Sequence, residues 1–304
     1  MKKLFIFLSI ILSLAACRIE KKSRSEDIKT IVCTTGMLGD AVKNIVGDQI
    51  NVITLMGPGV DPHLYKATQG DLKSLSSADV IIYNGLHLEG KMGEIFEKLE
   101  RQKHIIVAAD GIKESDLINN TDFQGAHDPH LWFDVKLWSQ VVSHIGSTLG
   151  QLSDSSKSEI LSNTQKYVEQ LTDFDHSVRQ ELMQLDSSKR VLITAHDAFG
   201  YFGKAYEFQV KGLQGISTTS EYGLKDISDL VNFIVDRKIK AVFVESSVSE
   251  KSLQAVVEGC TAKGHPVKIG GQLFSDAMGE ENSPEGNYIG MVKHNVKIIT
   301  QGLQ

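Results

Sequence analysis

Cysteine is scarce in this chain, with three residues in 304, and so is proline, with five. Three thiols make no disulfide framework, so Cys33, in an apolar strand-like run, and Cys260, in a helix-like run, are expected to be free and buried, the alternative being one Cys33–Cys260 bridge in an oxidising compartment. Basic excess is missing as well. Lys and Arg number 32 against 38 Asp and Glu, a formal net charge of −6 at pH 7, which argues against nucleic acid as a partner. The N-terminal apolar run, Leu4 to Ala16, holds 13 residues, short of the roughly 20 that cross a bilayer.

That run follows Lys2 and Lys3 and closes on Leu14-Ala15-Ala16-Cys17, which reads as a bacterial secretory leader ending in a lipobox. Residues 1–16 are therefore expected to be removed, and Cys17 to carry the lipid that replaces a membrane-spanning helix. Residues 17–27 end in a polar, aperiodic stretch from Lys21 and read as a tether. Without the leader the balance is 30 basic against 38 acidic residues, a net −8, and the remaining 288 residues suffice for two lobes of ordinary domain size.

Short apolar runs recur at Lys29 to Thr34, Val80 to Tyr83, Ile105 to Ala108, Val191 to Thr194, Ala241 to Val244 and Val267 to Ile269. Strands buried on both faces have this pattern. Amphipathic segments such as Met37 to Val46, Asp226 to Val235 and Ser249 to Val257 alternate with them, which predicts an α/β fold with parallel sheets. The alternation breaks between Ser156 and Leu185. There Tyr167, Leu171, Phe174, Val178, Leu182 and Leu185 step by three and four along one helical face, and Ser156 with Glu159 has the spacing of a capping box. The simplest architecture is an N-terminal lobe over 28–150, a rigid connecting helix within 151–187 and a C-terminal lobe over 188–304. A ligand site is then expected where strand-end loops of the two lobes face one another.

The pentapeptide Asp-Pro-His-Leu-aromatic occurs twice, as Asp61-Pro62-His63-Leu64-Tyr65 and Asp128-Pro129-His130-Leu131-Trp132. Each proline stiffens the backbone before its histidine, and an immobilised neutral imidazole suits a transition metal. His196 closes the apolar run Val191 to Thr194, and Asp276 follows Gly270-Gly271-Gln272-Leu273-Phe274-Ser275, so both are expected at strand ends. Spacings of 67, 66 and 80 residues are too long for a zinc finger or a His-Glu-x-x-His helix, so a shared site has to be built by tertiary folding. His87 and His144 sit in apolar helical or strand contexts and read as structural. His127 lies three residues before His130, and the repeat favours His130.

Several longer stretches carry a resemblance. They are Leu55 to Tyr65, Tyr83 to Glu89, Asp128 to Asp134, Thr194 to Phe202, Glu245-Ser246-Ser247 and Leu273 to Gly279. In these the chain resembles the metal-binding lipoproteins of cluster A-I ABC importers, in their TroA-like branch. The resemblance implies His63, His130, His196 and Asp276 as metal ligands, two lobes with a long connecting helix, and delivery of the ion to a permease and its ATPase. It also implies an extracytoplasmic, membrane-anchored monomer. Manganese-dedicated branches usually carry glutamate where this chain has His196, and zinc-dedicated branches often carry a His-rich loop, whereas residues 119–126 contain no histidine. Zinc is the expected ion, then manganese, with ferrous iron behind both.

Three imidazoles and one carboxylate around a divalent ion leave a net charge of about +1, with four or five coordination according to whether the aspartate binds through one oxygen or two, and with all four bound little room is left for an activated water. Such a site is expected to hold its ion, not to hydrolyse a substrate, and to weaken below about pH 6.5 as imidazoles protonate. Rival readings are a lipid-anchored zinc hydrolase using Asp276 or Glu245 as base, a surface adhesin with a structural metal, and a receptor for a metal chelate such as a siderophore. The last would want basic residues in the ligand-bearing loops, which have few.

Overall fold

The structure is a computed structural model that describes residues 27–119 and 125–304. The leader, Cys17 and the body of the tether lie outside the described residues. Two four-stranded parallel sheets organise the rest. The first contains β1 (Thr30–Cys33), β2 (Asn51–Thr54), β3 (Val80–Tyr83) and β4 (His104–Val107) in the order β2-β1-β3-β4. The second contains β5 (Val191–His196), β6 (Gln209–Gln214), β7 (Ala241–Glu245) and β8 (Lys268–Leu273) in the equivalent order β6-β5-β7-β8. In each, the chain leaves the first strand towards one edge and then returns to its other side. That reversal opens a crevice at the carboxyl ends of the two central strands.

Four helices belong to the first half: α1 (Gly36–Val46), α2 (Gln69–Ser77), α3 (Gly93–Leu99) and α4 (Val135–Leu152). Their starts follow local chemistry. Thr68 caps α2 in a reciprocal box with Asp71, and Asp134 caps α4 by accepting the backbone N–H groups of Lys136 and Leu137. The long helix α5 runs over Lys157–Leu182, 26 residues or roughly 39 Å at 1.5 Å each. The residues picked out by periodicity from Tyr167 to Leu185 are all buried, although the helix stops three residues before Leu185. The expected capping box at its start does not form. Ser156 makes no side-chain cap bond, and Glu159 instead accepts from Gln49 Nε2 at 3.0 Å, a tertiary contact that competes for its carboxylate.

The second half adds α6 (Gly200–Tyr206), α7 (Leu224–Asp236), α8 (Lys251–Ala262) and α9 (Tyr288–Leu303). One apolar cluster runs through both lobes, from Ile31 and Ile82 of the first sheet, through α4 and the buried stripe of α5, to Phe243 and Ile299 of the second lobe. Polar bonds reinforce α5 at both ends of this core. Tyr167 OH donates to Asp40 Oδ2 on α1 at 3.1 Å, and Asp175 accepts Tyr206 OH at 2.9 Å and Arg179 Nε at 2.8 Å. Cys33 and Cys260 are free and buried, on β1 and α8. No helix among the described residues is long and apolar enough to cross a membrane.

Candidate metal centre

Both Asp-Pro-His segments fold into the same local turn. The aspartate Oδ1 accepts the backbone N–H of the histidine two residues on, at 2.9 Å in each case, from Asp61 to His63 and from Asp128 to His130. Proline between them fixes the turn, which is why the pentapeptide presents a histidine in a set direction. The surroundings of the two turns differ. Trp132 is buried and its Nε1 donates to Ser275 O at 2.9 Å, whereas Tyr65 OH donates to Asp71 Oδ2 at 2.6 Å within the first lobe.

His196 is the last residue of β5, and Glu245 the last of β7, the two central strands of the second sheet. Both therefore stand at the crevice that the strand order creates. Glu245 Oε1 accepts the His196 N–H at 2.9 Å, and its Oε2 lies 2.5 Å from His196 Nδ1, close but too oblique for a directed hydrogen bond. Asp276 follows β8 on a segment that Asn295 of α9 holds from both sides. Asn295 Oδ1 accepts Phe274 N–H at 2.9 Å and its Nδ2 donates to Phe274 O at 2.7 Å.

The structure brings His63, His130, His196 and Asp276 together, fully buried, with one potential ligand atom of each within 4.8 Å of all the others. His130 Nε2 lies 3.3 Å from His63 Nε2 and 3.4 Å from Asp276 Oδ1, and His196 Nε2 lies 3.3 Å from Asp276 Oδ2. Neither Asp276 oxygen, nor His196 Nε2, has a hydrogen-bond partner. Buried polar atoms rarely stay unpaired, and three imidazole nitrogens facing a carboxylate form a donor set fitted to a divalent transition ion. His127 is not one of the four. Its ring lines a cavity of about 440 Å³ together with His63, His87, Pro129 and Thr219. The apolar context that made His87 read as structural thus ends at a cavity wall.

The electrostatics of the four are unequal. Burial pushes the His63 ring down to about 3, opposed only in part by Asp276 and reinforced by the neighbouring His130 and His196 rings. Burial also works against charge on His130, but Asp128 and Asp276 outweigh it and push the ring up to about 9. For His196, burial is likewise outweighed by Glu245 and Asp276, which raise it well above the usual histidine value. Asp276 is held well below the usual carboxylate range, because His196 and His130 outweigh its burial. Asp128 and Glu245 are thus part of the site, Asp128 through the His130 ring it bonds and Glu245 through the charge it sets beside the His196 ring. A carboxylate two residues before His130, and one at the end of the neighbouring strand, were the available sequence signals for them.

A family model described as the zinc-uptake complex component A, periplasmic (ZnuA), matches residues 31–302. This chain belongs to the ZnuA family. It is 47% identical over 293 residues to the manganese-binding lipoprotein MntA of Bacillus subtilis, covering 96% of this chain and 95% of that protein. It is also 47% identical over 283 residues to the zinc-binding protein TroA of Treponema pallidum, covering 93% and 91%. The solved structure of that periplasmic zinc-binding TroA superposes with a TM-score of 0.88 over 91% of this ZnuA-family chain and 99% of its own. The paired parallel sheets and the long helix α5 of this chain agree with the sequence-based expectation of two α/β lobes.

Proposed function

We propose that this protein is the solute-binding lipoprotein of an ABC importer. It captures a divalent transition metal, zinc or manganese, through His63, His130, His196 and Asp276, and passes it to a membrane permease driven by its ATPase. The observation that carries this reading is the buried convergence of three histidine Nε2 atoms on one carboxylate whose oxygens lack hydrogen-bond partners. Membership of the ZnuA family and similarity to one manganese-binding and one zinc-binding relative support it. The donor set accepts both ions. Zinc binds such sites more tightly by the Irving–Williams order, so use of manganese would rest on which ion is available. Four protein ligands leave little room for substrate or water, unlike a catalytic zinc site with three protein ligands and an open position, which favours a carrier over a hydrolase.

In this reading residues 1–16 are a secretory leader, Cys17 carries lipid, and lobes spanning about 28–150 and 188–304 hold the ion between them. The protein works outside the cytoplasm, attached to the membrane, as a monomer. The deciding experiment is metal content and competitive affinity for zinc, manganese and ferrous iron on the purified protein, with His196→Ala beside it. One tightly held ion per chain, lost in the variant, is expected. Full retention of metal by His196→Ala would refute the four-residue site.

A further inference from the structure

Three of the four converging residues have a partner behind them, at the ring of His130, at the backbone of His196 and on the segment before Asp276. Asp128 holds the His130 ring through Nδ1 at 2.7 Å, and Tyr201 OH of the second lobe donates to Asp128 O at 2.9 Å. Glu245 flanks the His196 ring, and Asn295 fixes the segment leading to Asp276. His63 is placed differently. Its ring contacts are with the other site groups, His130 Nε2 at 3.3 Å and Asp276 Oδ2 at 3.9 Å, and it lines the cavity bounded by Ile216, Ser217 and Thr219.

What holds His63 is its turn. Asp61 Oδ1 accepts the His63 N–H, and the other oxygen of the same carboxylate, Oδ2, accepts Thr218 Oγ1 at 2.6 Å from the second lobe. Thr218 is itself positioned by Gln214, the last residue of β6, whose Nε2 donates to Thr218 O and Ser220 O at 2.6 Å each. Gln214 pairs in register with His196. Covalent and hydrogen-bonded links thus run from His196 through Gln214, Thr218 and Asp61 to His63, and an ion bound by both histidines would close them into a ring.

We propose that Asp61 and Thr218 form a clasp between the lobes that sets how long a captured divalent ion stays, by holding His63 in place. The proposal rests on the metal-carrier reading above. Thr218 and Asp61 touch no ion in this scheme; they are positioning residues. For His63 to swing out with its turn, the short hydroxyl-to-carboxylate bond has to break, and bonds to an ionised acceptor are among the stronger ones in proteins. Affinity changes within one interface usually appear in dissociation more than in association, so the clasp should be read in the off-rate.

The test uses the full-length protein loaded with zinc, and follows zinc transfer to an excess of a fluorescent chelator by stopped flow in wild type, Thr218→Val and Thr218→Ser. Valine keeps the shape and removes the hydroxyl; serine restores it. Thr218→Val is expected to release zinc about tenfold faster, Thr218→Ser within about twofold of wild type, with association and the melting temperature of the metal-free protein unchanged. An unchanged off-rate in Thr218→Val, or equal acceleration in both variants, overturns the clasp and leaves the metal site standing. A drop in metal-free melting temperature as large as that of the loaded protein would make Thr218 a general fold contact and also overturns it. A wild type that binds no ion overturns the carrier reading, and the clasp falls with it.

Discussion

The two Asp-Pro-His turns show how one local motif acquires two roles from its neighbours. In the second, Asp128 both closes the turn and grips the His130 ring, so it fixes the tautomer that points Nε2 into the site. Asp128→Asn keeps an oxygen for the His130 N–H but loses the charge on the ring. Metal affinity is expected to fall by about 10- to 100-fold with the fold intact, checked by competition titration beside far-UV circular dichroism. The unequal rings also set the pH response. His63 is already neutral at pH 7, being pushed down to about 3 by burial. His130, pushed up to about 9, holds its proton there, His196 is shifted in the same direction by Glu245 and Asp276, and a ligand imidazole has to lose its proton. Raised values mean that protons compete below them, so affinity is expected to climb with pH through about 7 to about 9, a higher window than an ordinary histidine would give. Binding at pH 7 should release protons, read by calorimetry in buffers of different ionisation heat. No proton release would refute this assignment.

At the scale of elements, close approach between α4 and α5 is set by Gly146. A Cβ there would sit 2.1 Å from Thr164 Oγ1 and 2.8 Å from Thr164 Cβ, so the helices pack closer than any side chain at 146 permits. Gly146→Ala is expected to destabilise by about 1–3 kcal/mol in urea unfolding, and Gly146→Ala with Thr164→Ala to recover part of that loss. This contact had no signature in the sequence, because it depends on which residue of α5 faces which residue of α4. The central strands were legible, since β1, β3, β5 and β7 are buried on both faces and read as continuous apolar runs. β6 was not. It is an edge strand whose residues, Gln209 to Gln214, alternate exposed and covered positions and include Lys211 and Gly212, so no apolar run marks it. The same limit hid Thr218, which lies beyond β6 and matters only through a contact with Asp61, 157 residues away in sequence. The four converging side chains could be picked out because stiff Pro-His turns and strand ends are local features; the carboxylates behind their rings are tertiary.

At the scale of the whole molecule, the two sheets are separate, and each has an apolar cluster of its own, but a third and larger cluster is shared between them. The apolar cluster that includes Ile31 of the first sheet also includes Phe243 of the second, with α5 between them contributing Tyr167, Leu171 and Phe174. A helix tied into both lobes resists wide opening, so access to the site is expected through small movements of strand-end loops, which for the His63 turn means breaking the Asp61–Thr218 contact. The shared core also predicts how the protein unfolds. Neither lobe can lose its packing without uncovering α5, so the metal-free chain is expected to melt in a single cooperative transition at both near- and far-UV wavelengths. Because the four converging side chains are not themselves members of that apolar cluster, removing the ion with a chelator should lower the melting temperature without unfolding the chain. Binding adds stability by mass action, about 4 kcal/mol when free ion exceeds the dissociation constant about a thousandfold. Two resolved transitions would mean that the lobes are energetically independent. Collapse of the fold on chelation would mean that the metal is structural, the outcome the adhesin reading requires.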